Sequence, residues 1–306
     1  MTGAGVTSRP AETLLTVRAT DFLAGGPATA AQLVAHVCQL PAVPGAVAEH
    51  MAAALFAGRA EFTRDADGTW RLVAPATPAR VSEALPGAYA PPTPRALRSL
   101  SYTVVDVETT GTSPHRGDRI TEIAAVRVEN GEVREVFQTL INPERAIPPF
   151  ITALTSITWE MVKDAPRFRD VCDELLSRME GTIFVAHNAS FDWRFVSAEV
   201  ERATGRTLDG RTLCTVRLAR ALLPQLRRRS LDWVANHYGI EIGARHRAAG
   251  DALATAQCLV RMLEAVVESG CDCWDDLETL LGASLAQRRL RRPSAMPQPV
   301  RRDTTA

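Results

Sequence analysis

Lysine is almost missing from this chain. Of 35 basic residues in 306, Lys163 is the only lysine and the rest are arginine. Arginine suits bidentate contacts to phosphate or carboxylate, and a compositional bias of the source gives the same pattern. Net charge is absent too: 35 basic residues face 35 acidic ones, so the average field attracts no polyanion and any such partner needs a local patch. Long apolar runs are lacking, so no segment reads as spanning a membrane and no membrane partner is expected. The first residues, "MTGAGVTSRPAETLL", have no basic start followed by an apolar stretch, unlike a secretion signal. Cysteine is sparse and scattered, at 38, 172, 214, 258, 271 and 273. Cys38, Cys172 and Cys258 fall in amphipathic helical patterns as small core residues. The "CDC" pair at 271 and 273 is too tight for an ordinary zinc site and has no second pair. A reduced, cytoplasmic protein is expected. No internal repeat is visible.

What is present is enough apolar residue, 46% of the chain, for a sizeable core. Residues 74–99 hold six prolines and read as a linker. The preceding 1–73 read as three helices and a hairpin turning at Asp67-Gly68, with Thr29 capping the second helix: a small winged-helix-like domain. In that arrangement the third helix would dock on nucleic acid. Here "VAEHMAAALFAG" has no Arg or Lys, which favours a packing or protein-contact module. Residues 100–283 read as strand, strand, strand, helix, then alternating strands and helices, with Ser230 capping one helix. The pattern predicts an α/β fold, a mixed sheet flanked by helices. From Ser284 to 306 arginines and prolines replace apolar residues, and a basic disordered tail is expected.

The stretch "YTVVDVETTGT", 102–112, raises a chemical question. It is a core strand that ends in Asp106 and Glu108, two residues apart and therefore on one face. Asp192 lies in the first turn of a helix after the buried strand "TIFVAHN", and Asp251 opens the last long helix, five residues after His246. Singly, each acid has an ordinary explanation as a helix-terminal or strand-end residue. Four at the rim of one sheet are costly unless a cation neutralises them. Oxygen donors suit Mg²⁺ or Mn²⁺, and two such ions about 4 Å apart promote phosphodiester hydrolysis.

"VVDVETTG", "HNASFDWRF" and "HRAAGD" resemble, in order and spacing, the three motifs of the DEDDh family of 3′→5′ exonucleases. That family, on a ribonuclease H-like fold, includes the epsilon proofreading subunit of bacterial DNA polymerase III. The resemblance covers about residues 100–267. It implies that Asp106, Glu108, Asp192 and Asp251 hold two divalent ions, Mg²⁺ or Mn²⁺, and that His246 is the general base. Position 247, where the alternative subtype has a tyrosine, is arginine. An imidazole exchanges protons near neutrality, which suits a base. It also implies that Thr109, Thr110, Gly111, His187, Asn188 and Phe191 lie on the substrate side, with Gly111 allowing close approach and Phe191 equally readable as core. Relatives carry His-Gly-Ile-Thr where this chain has "LTSIT", so Thr155 and Ser156 leave the preference for an end open. The implied partner is DNA with a single-stranded or frayed 3′ end, with RNA and a non-catalytic nucleic-acid-binding role as alternatives. A DNA polymerase is a candidate partner, although the N-terminal extension favours a standalone repair nuclease over a minimal proofreading subunit.

Overall fold

The computed structural model describes residues 5–56, 58–73 and 96–291. In chain order it contains β1 (Thr7–Pro10), α1 (Leu14–Leu23), β2 (Ala28–Thr29), α2 (Ala30–Cys38), α3 (Gly45–Phe56), β3 (Phe62–Arg64) and β4 (Thr69–Leu72). After the linker come β5 (Tyr102–Thr109), β6 (Ile120–Glu129), β7 (Glu132–Leu140), α4 (Pro149–Thr155), α5 (Trp159–Val162), α6 (Phe168–Met179), β8 (Ile183–Ala186) and α7 (Ala189–Thr204). The chain then forms β9 (Arg206–Asp209), β10 (Thr212–Cys214), α8 (Thr215–Leu222), α9 (Leu231–His237), α10 (Ala248–Glu268) and α11 (Trp274–Arg291).

Five strands form a mixed sheet in the order β10-β8-β5-β6-β7. β5, β6 and β7 are an antiparallel meander, while β8 runs parallel to β5 and β10 parallel to β8. Asn130 and Gly131, both at positive φ (52° and 76°), turn β6 into β7, as a two-residue hairpin requires. β5 sits at the centre, and its alternating side chains feed two cores. Tyr102 and Val104 pack with Met262 and Val266 of α10, whereas Val105 and Val107 pack with Leu175 of α6 and Val196 of α7. By the same alternation Asp106 and Glu108 continue the face that meets α10. This is the α/β mixed sheet with flanking helices expected of a ribonuclease H-like fold.

Three sequence boundaries shift. Residues 5–11 do not belong with the N-terminal helices. β1 pairs antiparallel with β9, Val6 is buried in the core beside α6 and α7, and its N–H donates to the Thr182 carbonyl at 2.6 Å. Gly210, at φ 146°, is required there because a Cβ would overlap the Val6 backbone. At the far end of the linker Leu97 is fully buried, and the Tyr102 hydroxyl donates to its carbonyl at 2.7 Å; 74–95 lie outside the described residues. The tail expected to be disordered from Ser284 is helical as far as Arg291, where α11 ends; Trp274, Leu277 and Leu281 anchor the first turns of α11 in the α10 core. Residues 292–306 lie outside the described residues. Ser230 occupies the cap position of α9, but its side chain makes no capping bond; Thr29 closes a capping box with Gln32 at α2. All six cysteines are free. Among the described residues no helix is long and apolar enough to cross a membrane.

Candidate active site

Three elements bring the four acids together. Asp106 and Glu108 come from the end of β5, beside a register shift between Glu108 and Thr109 that marks a bulge. Asp192 stands in the first turn of α7 and Asp251 in the first turn of α10. Asp192 and Asp251 are each 4% exposed. One Asp192 carboxylate oxygen accepts the Val107 N–H at 3.2 Å, which ties α7 to β5. Ligand atoms of Glu108, His246 and Asp251 all lie within 4.8 Å of one another.

The cluster is electrostatically uneasy. Burial, then repulsion by Asp192, Asp251 and Glu108, drives the Asp106 carboxyl well above its usual range. Burial and the charges of Asp251 and Glu122 raise Glu108 to about 7. Burial, with a smaller push from Glu108, raises Asp192 to about 8. Burial also raises Asp251, against the pull of Arg245. Asp251 Oδ1 is buried and has no hydrogen-bond partner, although its other oxygen accepts the His246 N–H at 3.2 Å. An orphaned buried oxygen among crowded carboxylates and one imidazole is a donor set that fits a hard divalent cation.

Two buried acids that sequence reasoning missed hold this rim in place. Glu122 of β6 lies opposite Glu108 in the ladder and is 3% exposed. It accepts from Arg247 Nε and Nη2 (3.0 and 2.7 Å) and from the Ala248 N–H at 3.0 Å, capping α10. Glu199 of α7, 2% exposed, takes two bonds from Arg119 (2.6 and 3.0 Å) and so fixes the loop that follows β5. The only sequence signal for either was an acid on a face otherwise apolar. Gly250 in "HRAAGD" also has a reason: a Cβ would overlap the Ala244 carbonyl oxygen, displacing the loop that carries His246. His246 itself has φ 59°, a left-handed conformation that few residues other than glycine adopt.

The six expected substrate-side residues look different in place. The Thr109 hydroxyl donates to the Gly111 carbonyl at 2.6 Å, and the Thr110 hydroxyl accepts the Arg119 N–H at 3.0 Å. Both side chains thus knit the loop. A Cβ at Gly111 would overlap the Asp118 carboxylate, which accepts the Ser113 N–H at 3.0 Å, so the glycine lets Asp118 close the loop. His187 Nε2–H donates to the Arg229 carbonyl and Nδ1 accepts from the Thr215 hydroxyl, both at 2.9 Å. Burial lowers His187 to about 4, so the ring is neutral and both nitrogens are occupied. Asn188 sits at φ 89° ahead of α7. Phe191 packs on Phe195, ring centroids 5.0 Å apart, at the margin of the core. Ser156 has φ 60° at the end of α4, a left-handed conformation that glycine would favour.

Residues 103–259 match the RNase_T exonuclease family model. The chain belongs to this exonuclease family. The matched span contains Asp106, Glu108, Asp192, His246 and Asp251. Over 203 residues the chain is 38% identical to a PolC-type DNA polymerase III of Bacillus subtilis (strain 168), covering 64% of this chain and 14% of that protein. Over 168 residues it is 39% identical to the 3′-5′ exonuclease DinG of the same organism, covering 55% of this chain and 18% of that protein. The chain therefore spans less than a fifth of the length of these relatives. A solved structure, exonuclease X in complex with 5′ overhanging duplex DNA, is 30% identical and covers 54% of this chain and 91% of that one, with a TM-score of 0.44.

Proposed function

We propose that residues 96–291 remove nucleotides from the 3′ end of DNA by hydrolysing phosphodiester bonds. The observation that carries this reading is the gathering of Glu108, His246 and Asp251, ligand atoms within 4.8 Å of one another, with Asp106 and Asp192 near enough to repel Glu108 and with Asp251 Oδ1 left unpartnered. Two Mg²⁺ or Mn²⁺ ions held by the four acids would supply charge neutralisation at the phosphoryl oxygens and a polarised water. His246 accepts the proton of the attacking water. Its backbone N–H, bonded to Asp251, and its left-handed φ hold the imidazole beside Glu108 and Asp251. Because the Thr109 and Thr110 hydroxyls are used within the loop, backbone groups of Thr109, Thr110 and Gly111 meet the terminal nucleotide. His187 shapes the pocket wall, while Asn188 and Phe191 face the nucleotide from the start of α7.

DNA is favoured because relatives at this identity are named PolC-type DNA polymerase III. The role is proofreading or repair, epsilon-like in chemistry. A repair enzyme acting alone in the cytoplasm is favoured over a replicative subunit, because the domain carries additional N-terminal helices. Those helices, with sheet order β2-β4-β3, support a winged-helix-like module. α3 carries no Arg or Lys, which supports a packing or protein-contact role over DNA docking. The test is degradation of 5′-labelled single-stranded DNA and matching RNA with Mg²⁺, with Mn²⁺ and with chelator. A metal-dependent ladder shortening from the 3′ end, faster on DNA, is expected. Faster loss of RNA would reassign the substrate, and intact oligonucleotides with folded protein would leave a binding protein.

A further inference from the structure

Arg245 stands between two acids of different standing. Its Nε and Nη2 grip Asp232 in the first turn of α9 at 2.8 and 3.3 Å, while Nη1 pairs with Asp251 Oδ2. The Asp232 side chain is 56% exposed and that of Asp251 6% exposed, so one guanidinium links a solvent-side acid to a buried acid of the site. The forked contact to Asp232 is complete without Nη1. Loss of the Asp251 contact would leave the two-bond fork to Asp232, whose exposed side chain can move with the guanidinium. The Arg245 charge also reaches Asp106 and, together with that of Arg247, Glu108.

We propose that Arg245 is an exchangeable counter-cation: its guanidinium and a divalent ion compete for Asp251 Oδ2, and Asp232 retains the guanidinium when the ion takes that oxygen. This rests on the proposed use of the four acids as metal ligands. A full positive charge beside the site opposes a second cation, and a guanidinium occupying a ligand oxygen must be displaced from it. Arg245 is thereby a positioning residue that sets how much divalent ion the site needs.

Calorimetric titration of the full chain with MnCl₂, at fixed pH and salt, tests this. Thermal unfolding in chelator serves as the check that each variant is folded. Arg245→Gln should tighten Mn²⁺ binding on the order of tenfold by removing the competing charge. Arg245→Lys, which keeps the charge, should stay closer to wild type. Asp232→Asn removes the alternative anchor and should weaken binding by about threefold, consistent with an exposed pair. A residue that merely braces the loop would give the opposite sign for Arg245→Gln. Asp106→Ala separates the two readings. If wild type gives no Asp106-dependent heat, the metal reading fails and this inference with it. If wild type binds and Arg245→Gln binds equally or more weakly, or Asp232→Asn binds more tightly, the counter-cation assignment alone is overturned.

Discussion

In the N-terminal helices, local signals agree with one another. Thr13 and Thr29 close capping boxes with Thr16 and Gln32. Gly68, at φ 86°, turns the hairpin, and the core of Leu33, Val34, Val37, Phe56 and Phe62 is apolar. The rim of the five-stranded sheet behaves otherwise. It buries acids that repel one another, holds His246 and Asn188 in left-handed conformations, and leaves Asp251 Oδ1 without a partner. Each departure costs stability, and they fall within one cluster. The N-terminal helices and hairpin carry isolated exceptions, Gln39 at φ 55° and an unpartnered Trp70 Nε1, whereas the rim gathers strain and charge at one place, as a site for chemistry does.

The contrast breaks most sharply on Asp106. Asp106→Ala should lower nuclease turnover by roughly three orders of magnitude, the scale of losing metal-borne charge stabilisation. It should leave the melting temperature in chelator unchanged or higher, because a repelling carboxylate is gone. A large loss of stability would make Asp106 an ordinary core residue. His246→Asn is the next probe, because asparagine tolerates a positive φ. Turnover should fall by about 10²- to 10⁴-fold, as for loss of a general base, with Mn²⁺ affinity much less affected. An equal loss of both would make His246 a ligand.

A smaller effect separates the two regions by pH. Glu108 at about 7 and Asp192 at about 8 lie above their unfolded values of roughly 4. Between about pH 4 and 8 these two carboxyls bind more protons in the folded state than in the unfolded one, so their contribution to stability falls as pH rises, against an opposite contribution from His187 below about pH 6.5. In chelator, melting temperature should decline from pH 5 to 8, while the increment given by Mg²⁺ should grow. A flat increment would mean that the acids do not meet the ion. Smallest of all, Thr29→Ala should cost about 1 kcal/mol at the α2 cap and leave nuclease turnover unchanged. Altered turnover would couple the N-terminal helices to the site.

The contiguous motifs made the mixed sheet legible and singled out the four acids and His246 as candidates, because strand alternation and first-turn positions depend on residues only a few places apart. The supports were not legible, because they depend on distant partners. Glu122 reads as a polar residue on a strand until Arg247, 125 positions later, is laid against it. The strap at 7–10, "TSRP", is too short and polar to announce a strand; its partner is β9. The α11 helix was signalled by Asp275 and Asp276 in its first turn, a sign that the adjoining cysteines and basic tail obscured. His187 shows the limit of motif reading: its place in the motif was clear, yet Thr215 and Arg229 occupy both ring nitrogens.

Crystals grown with Mn²⁺ and measured for anomalous scattering put the central claim to its most direct test. Peaks bounded by Asp106, Glu108, Asp192 and Asp251, with Arg245 resting on Asp232 alone, are the expected result. Manganese bound elsewhere, or no ordered manganese while Arg245 still holds Asp251, would contradict the account.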